Sequence, residues 1–402
     1  MFKTEIMTRI IFFLFFALFG MQTYAANKTW TCINKNGETM FRTEAIHVSE
    51  FKNGLAKVYK NTLVDNEWIT GYGYINTKGE VVIPCSLKKA NDFNADVTFV
   101  QFEGEDFYTL IDKNGNRIPC KKYDDVKNFY PDSQSLCAVY EDGKIGFINT
   151  QGFEVIPCIY LGSSVFSNGL ASVCLASSEK GEYGFINEKG EVVIPLKFIQ
   201  TGTSSFSNGL ARASVGGKTV LIDTIGKVVF KTDKGNIQGH NFGLVEVITK
   251  PNRKGWGWVN FKDEFVIQPT YDYAVNFNED GYAIVERDGL KGAIDTTGKV
   301  VIPLRYETVY CDISKDGFFA GVYPSKGAVS MANAAKDYFD KDLNLLSLED
   351  VKYLTAANGG DYLLFSTNTG RIGYMNRAFE IVIPGQYSRA YQFSEGFAWV
   401  QD

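Results

Sequence analysis

Residues 166–195, FSNGLASVCLASSEKGEYGFINEKGEVVIP, hold the unit from which the rest of the chain is built. Gly169 to Leu175, Tyr183 to Ile186 and Glu191 to Ile194 are short runs rich in β-branched, aromatic and aliphatic residues, and each reads as a strand. Between the second and third stands Asn187-Glu188-Lys189-Gly190, where Asn opens a turn and Gly takes the positive φ of a tight hairpin with a bulge. Pro195 has no N–H to offer a ladder, so the third strand is expected to end there.

The same words recur in both directions. FKNGLAKV begins at Phe51, FSNGLARA at Phe206 and FSEGFAWV at Phe393, while GYINTKGEVVIP begins at Gly73 and GFINTQGFEVIP at Gly146. The apolar residue entering the turn falls at Ile33, Ile75, Ile111, Ile148, Ile186, Ile222, Val259, Ile294, Phe339 and Met375, at spacings of 35 to 45 residues. Asn76 to Gly79, Asp112 to Gly115, Asn149 to Gly152, Asp223 to Gly226 and Asp295 to Gly298 repeat the turn chemistry. Pro84, Pro119, Pro157, Pro195, Pro269, Pro303 and Pro384 punctuate the array as strand stops. A further Gly stands two residues before the turn entry, at Gly73, Gly146, Gly184, Gly257, Gly292 and Gly373. Such a Gly marks close approach of another group, expected here to be an aromatic ring; Thr31, Thr109 and Val220 take its place in other copies.

The fold class is therefore all-β: a tandem array of about ten three-stranded repeats of roughly 37 residues. One unit cannot stand alone, because ordering each residue costs at least ~1 kcal/mol while each of its half-dozen buried apolar side chains returns only ~2 kcal/mol. Stacking closes the gap, so the copies form one continuous body. An open, twisted array is the preferred geometry, because ten blades exceed the usual four to eight and propeller blades normally have four strands. A closed, propeller-like ring is the alternative, since the chain begins with second and third strands and ends with a first. Residues 325–352 are the least repeat-like, Ala- and Leu-rich, and read as a decayed copy with room for a short helical excursion.

At Lys254-Gly255-Trp256-Gly257-Trp258-Val259-Asn260, followed by Phe265-Val266-Ile267 and Pro269, the chain resembles the WG-repeat, or KWG-repeat, family. Tyr72-Gly73, Ile145-Gly146, Tyr183-Gly184 and Ile372-Gly373 stand where that family's Trp-Gly pair would, but the combined pattern covers residues 26–402. The resemblance implies a bacterial β-repeat array with no catalytic residues to carry over.

Residues 1–25 have a short basic start (Lys3, Arg9), the apolar run Ile10 to Met21 and small residues up to Ala25, the signature of a cleavable secretory signal peptide. A membrane anchor is the competing reading, but the run is shorter than the roughly 20 residues needed to span a bilayer. The expected location is secreted or periplasmic, with no transmembrane segment after cleavage. The full chain carries a formal charge of −5. An acidic chain lacks the basic footprint that nucleic acid requires.

Chemistry is sparse. His47 and His240 lie in different repeats, with no second ligand at metal spacing. Cys85, Cys120 and Cys158 occupy one repeat position, read as small buried side chains, with disulfides between copies as the alternative. Asp112, Asp223 and Asp295 alternate with Asn and read as turn formers, not calcium ligands. No enzyme motif and no cofactor or metal site is expected. The aromatics give the functional opening: those at repeat positions, such as Phe147 and Phe185, read as core, whereas Trp68 lies in an insertion and is the candidate ligand contact. The expected function is a non-enzymatic scaffold binding protein at the envelope or outside the cell. Binding of peptidoglycan or another glycan is the alternative, and glycan hydrolysis a second.

Overall fold

The computed structural model describes residues 25–402 except 130–135, 176–181, 200–204, 250–254, 279, 312–318, 323–335, 341 and 356–361. The expected signal peptide thus lies almost wholly outside the described residues, in which all regular secondary structure is β. The strands open with β1 (Lys28–Asn34) and β2 (Thr39–Ala45), followed by β3 (His47–Lys52), β4 (Leu55–Val64), β5 (Glu67–Asn76) and β6 (Val81–Ala90). β3 to β6 pair antiparallel in chain order. β4, β5 and β6 are the three strands read from the sequence, and β3 makes a fourth.

That additional strand is the continuation of the preceding unit. Only Ile46 separates β2 from β3. Further along the two merge: β6 pairs with β5 through Ile83↔Tyr74 and then, after bending, with Val97–Phe102 through Lys89↔Gln101. Glu154–Ser163 and Val192–Ile199 bridge successive units in the same way. Among the described residues, nine of the ten repeats therefore sit in a four-stranded sheet while encoding three separable strands; the tenth, built on Phe319–Val322, pairs three.

Gly and Pro prove to be two halves of one device. Tyr72 pairs with Leu87 and Tyr74 with Ile83, so two residues of β5 face four of β6 in a bulge. An added Cβ on Gly73 would lie 2.5 Å from the Ile83 carbonyl oxygen, and on Gly184 2.5 Å from that of Ile194. The nearest neighbour is thus a backbone carbonyl in place of the expected aromatic ring; Gly146, Gly257, Gly292 and Gly373 meet the equivalent carbonyl, and at Gly373 the ring of Phe365 lies close as well. Pro84, Pro157, Pro195, Pro269, Pro303 and Pro384 lie inside the bulge, where an N–H is dispensable, and their strands run on past them. The reading of Pro as a stop survives only at Pro119, after strand Arg117–Ile118, in a copy where Thr109 replaces the Gly. With Thr31, Thr109 or Val220 at the Gly position, this bulge is missing.

The turns follow the sequence closely. Asn187 Oδ1 accepts from the N–H groups of Lys189 and Glu191, and Gly190 takes φ +81°. Asp112, Asp223 and Asp295 accept the same pair of backbone N–H bonds. The Asn-Gly pairs of the FSNG-like words, Asn53-Gly54, Asn168-Gly169 and Asn208-Gly209, take positive φ at both residues, as a two-residue hairpin demands.

The ends of the chain meet. Strand Phe397–Gln401 pairs antiparallel with β1 through Cys32↔Trp399 and Ile33↔Ala398, so the first and last described strands build one sheet. Among the described residues, ten apolar clusters each join neighbouring units, and one of them packs Trp30 and Trp399 of this shared sheet against Phe51 and Val58 of the next. An open row of ten units would have nine junctions. Glu395 accepts from the N–H groups of Asn53 and Gly54, and Trp399 Nε1 donates to Ser49 O at 2.8 Å across the same junction. The ring, set second on sequence grounds, is the arrangement adopted. The objection from strand number fails because the fourth strand is borrowed from the preceding unit.

The decayed copy keeps its β character where it is described. Lys336–Phe339 is a strand, with Tyr338 and Phe339 buried, and Asp340 Oδ1 accepts from the N–H of Asn344 as in the other turns. No helix occurs among its described residues. Most of the Ala-rich part lies in 323–335, outside the described residues.

Candidate functional site

The six-residue longer spacing after Ile33 is spent on one hairpin. β4 and β5 pair over ten rungs, from Leu55↔Asn76 to Val64↔Glu67. β3 accompanies β4 only as far as Tyr59, and β6 accompanies β5 only as far as Tyr72. Lys60 to Gly71 therefore stands out as a two-stranded ribbon, closed by Asp65-Asn66, both at positive φ. Its base is tied to the start of the described chain: Asn27 Nδ2 donates to Asn61 O at 2.9 Å, and Asn61 N donates back to Asn27 Oδ1 at 3.0 Å.

The ribbon carries apolar side chains that no other described residue covers. Trp68 is 63% exposed and lies directly across from Leu63, which is 54% exposed. Val64 and Ile69 are exposed beside them. The other four tryptophans, Trp30, Trp256, Trp258 and Trp399, are buried in the junctions between units, as are Phe147 and Phe185. Trp68 is thus set apart by position and by exposure alike.

Elsewhere the polar groups are structural or isolated. His47 is exposed and stacks on Tyr59, whereas His240 is half-buried with Nε2 at 3.3 Å from Leu210 O, and burial lowers its pKa. Glu141, Glu154 and Cys158 converge, with the Lys121 ammonium 2.5 Å from Glu141 and 4.0 Å from Glu154, so a cation already stands among them. Burial pushes Cys32 and Cys137 up to about 12 and Cys158 to about 11. These thiols are not poised as thiolates. Cys32, Cys85, Cys120, Cys137, Cys158 and Cys174 are free thiols, and Cys85 and Cys158 pack their sulfurs against the bulge glycines, Gly73 and Gly146.

Among the described residues, Glu246 is the one deeply buried carboxylate. Burial raises its pKa to about 8, Arg212 opposing, and Oε1 has no hydrogen-bond partner. It sits directly across from Trp258, whose Nε1 is likewise unpartnered. Sequence reasoning missed this residue, although Leu244-Val245-Glu246-Val247-Ile248 places a lone acid in an otherwise apolar run.

Among the clefts formed by the described residues, one of about 810 Å³ lies beside Lys218–Val220 and one of about 210 Å³ beside Thr109. Both lie in copies that lack the bulge glycine.

Among solved structures, the chain is similar to a eukaryotic initiation factor (15% identity, 71% of this chain and 84% of that one, TM-score 0.46). It is also similar to apo AztD from Citrobacter koseri (12%, 79% and 94%, 0.35) and to the β-propeller domain of the Trilobed protease from Pyrococcus furiosus (11%, 64% and 98%, 0.29). No curated protein matches the chain. The pattern of the WG containing repeat matches at residues 72–105, 145–176, 183–218, 256–290, 292–322 and 372–402. These segments fall on the repeats just described, and the chain belongs to the WG-repeat family.

Proposed function

We propose that this chain is an exported, non-enzymatic binding ring that engages a protein partner at the cell envelope or outside the cell through the β4–β5 hairpin. The observation that carries the reading is the uncovered Trp68–Leu63 pair on a ribbon that the ring itself does not need for closure. An exposed indole beside aliphatic side chains is the composition of an interface anchor, since both gain by leaving water and neither has a polar role to lose. Export is supported by the apolar run Ile10 to Met21.

The test is a photo-crosslinking residue placed at position 68 in cells carrying the full precursor. A discrete protein adduct that disappears on Leu63→Ala/Ile69→Ala supports the reading. Absence of an adduct, together with co-sedimentation of the chain with purified cell wall that Trp68→Ala abolishes, would replace the protein partner with a glycan.

A further inference from the structure

In six units the third strand continues past its bulge and pairs again with the start of the second. The residue that re-pairs is Leu87, Tyr160, Phe198, Tyr271, Tyr306 or Tyr387, four places beyond the turn-side Ile, and all six are buried. In the unit built on strand Lys218–Asp223 this does not happen. Val220 stands at the bulge position, and its β-carbon is incompatible with the close carbonyl approach that Gly allows elsewhere. The third strand, Val228–Phe230, pairs only through Leu221↔Phe230 and Ile222↔Val228 and then stops.

Residues 231–235 follow a different path. Thr232 Oγ1 donates to Asp263 Oδ1 at 2.7 Å and accepts from Lys234 N–H, while Lys234 pairs with Asp263 at 3.0 Å. The chain is thereby tethered to the turn of the next unit. Among the described residues, Lys218, Thr219 and Val220 pair with Val215, Ser214 and Ala213 on one side and carry no strand on the other. Between this edge and the diverted chain lies the 810 Å³ cleft, walled by Val215, Val228 and Val229, all substantially exposed.

We propose that this vacant edge accepts an extended peptide segment of a partner protein as an added strand, with an aromatic side chain in the place that Tyr306 or Tyr271 fills in its own unit. Recognition by strand addition uses a free ladder edge for the main chain and a recess for side chains; here Lys218–Val220 supplies the edge and the cleft beside it the recess. The added strand would continue the ladder directly from Phe230, so the interface is an extension of one the fold already makes. Lys218 and Asp233 pair across the cleft, but with side chains 69% and 88% exposed this is a weak latch. The inference rests on the repeat geometry and is independent of the hairpin reading.

The probe is a labelled synthetic peptide of residues 303–309, PLRYETV, centred on Tyr306, which pairs with Lys291 at the equivalent edge in its own unit. With the purified chain, fluorescence anisotropy is expected to show saturable binding, weakened roughly tenfold by Val215→Glu/Val229→Glu on the exposed walls and by Asp in place of the peptide's Tyr. Hydrogen exchange gives the second readout: the 218–220 amides are expected to exchange faster than 256–258 in the free chain and to slow when peptide is added. Binding that ignores both changes, or amides at 218–220 already as protected as 256–258, would overturn the proposal. So would the absence of saturable binding.

Discussion

At the scale of single residues, the carbonyl groups of Ile83, Ile156 and Ile194 decide which side chain can stand opposite them. A Cβ on Gly184 would lie 2.5 Å from an oxygen held by a strand ladder, and a ladder cannot retreat as a flexible side chain can. Gly184→Ala is therefore expected to lower stability by roughly 1–3 kcal/mol, read as a lower urea midpoint. Glu246 makes a different prediction. Its folded pKa stands near 8, well above the roughly 4.3 of a free Glu. The folded state therefore holds the proton more tightly, and the associated stability is complete below the unfolded value, declines as pH rises between the two, and is gone above about 8. Glu246→Gln should flatten this decline, so that the variant gains on the parent chain from pH 5 to pH 8.5 in urea midpoints. A gap between the two proteins that stays constant over that range would refute the assignment.

At the scale of elements, the Asx turn offers a direct comparison between copies. Asn187 satisfies two backbone N–H groups, and Asp223 and Asp295 do the same work elsewhere. Asn187→Ala should cost about 1 kcal/mol, as loss of a side-chain cap does, while Asn187→Asp should be near neutral; urea midpoints of the two variants separate them. These turns were legible in the sequence because their chemistry is local: Asn or Asp and Gly at fixed offsets specify the backbone without reference to anything distant. The bulge was legible as a recurrence of Gly and Pro but not as a pairing, because the two residues lie on different strands and only register brings them together. The four-stranded sheet was hidden for a related reason. Its first strand carries no turn of its own to announce it, since Ile46 alone separates β2 from β3. The hairpin at Trp68 could be located from the longer spacing, and its solvent exposure followed from the absence of a repeat constraint. Trp68→Ala should change stability by less than about 0.5 kcal/mol, while a core tryptophan should not be so forgiving; thermal melts of both variants make the comparison.

At the scale of the whole molecule, closure depends on the strand that arrives last. In an open array each junction matters only to its neighbours, and fraying from an end costs one junction at a time. A ring has no end to fray from until one junction is broken. The junction most exposed to that failure is the one made by non-covalent pairing of β1 with Phe397–Gln401, where Trp399 is 1% exposed and stacks on Phe51 at a centroid distance of 5.5 Å. Trp399→Ala removes that ring and the bond to Ser49 O together, at a local cost of about 3–5 kcal/mol. The tryptophans of other junctions offer the control: Trp258→Ala creates a comparable void where the chain remains covalently continuous through the unit. If the ends close the ring, Trp399→Ala should enlarge the radius of gyration in small-angle scattering at denaturant concentrations where Trp258→Ala leaves it unchanged. Equal expansion of the two variants would mean that the seam between first and last strands bears no special share of the closure.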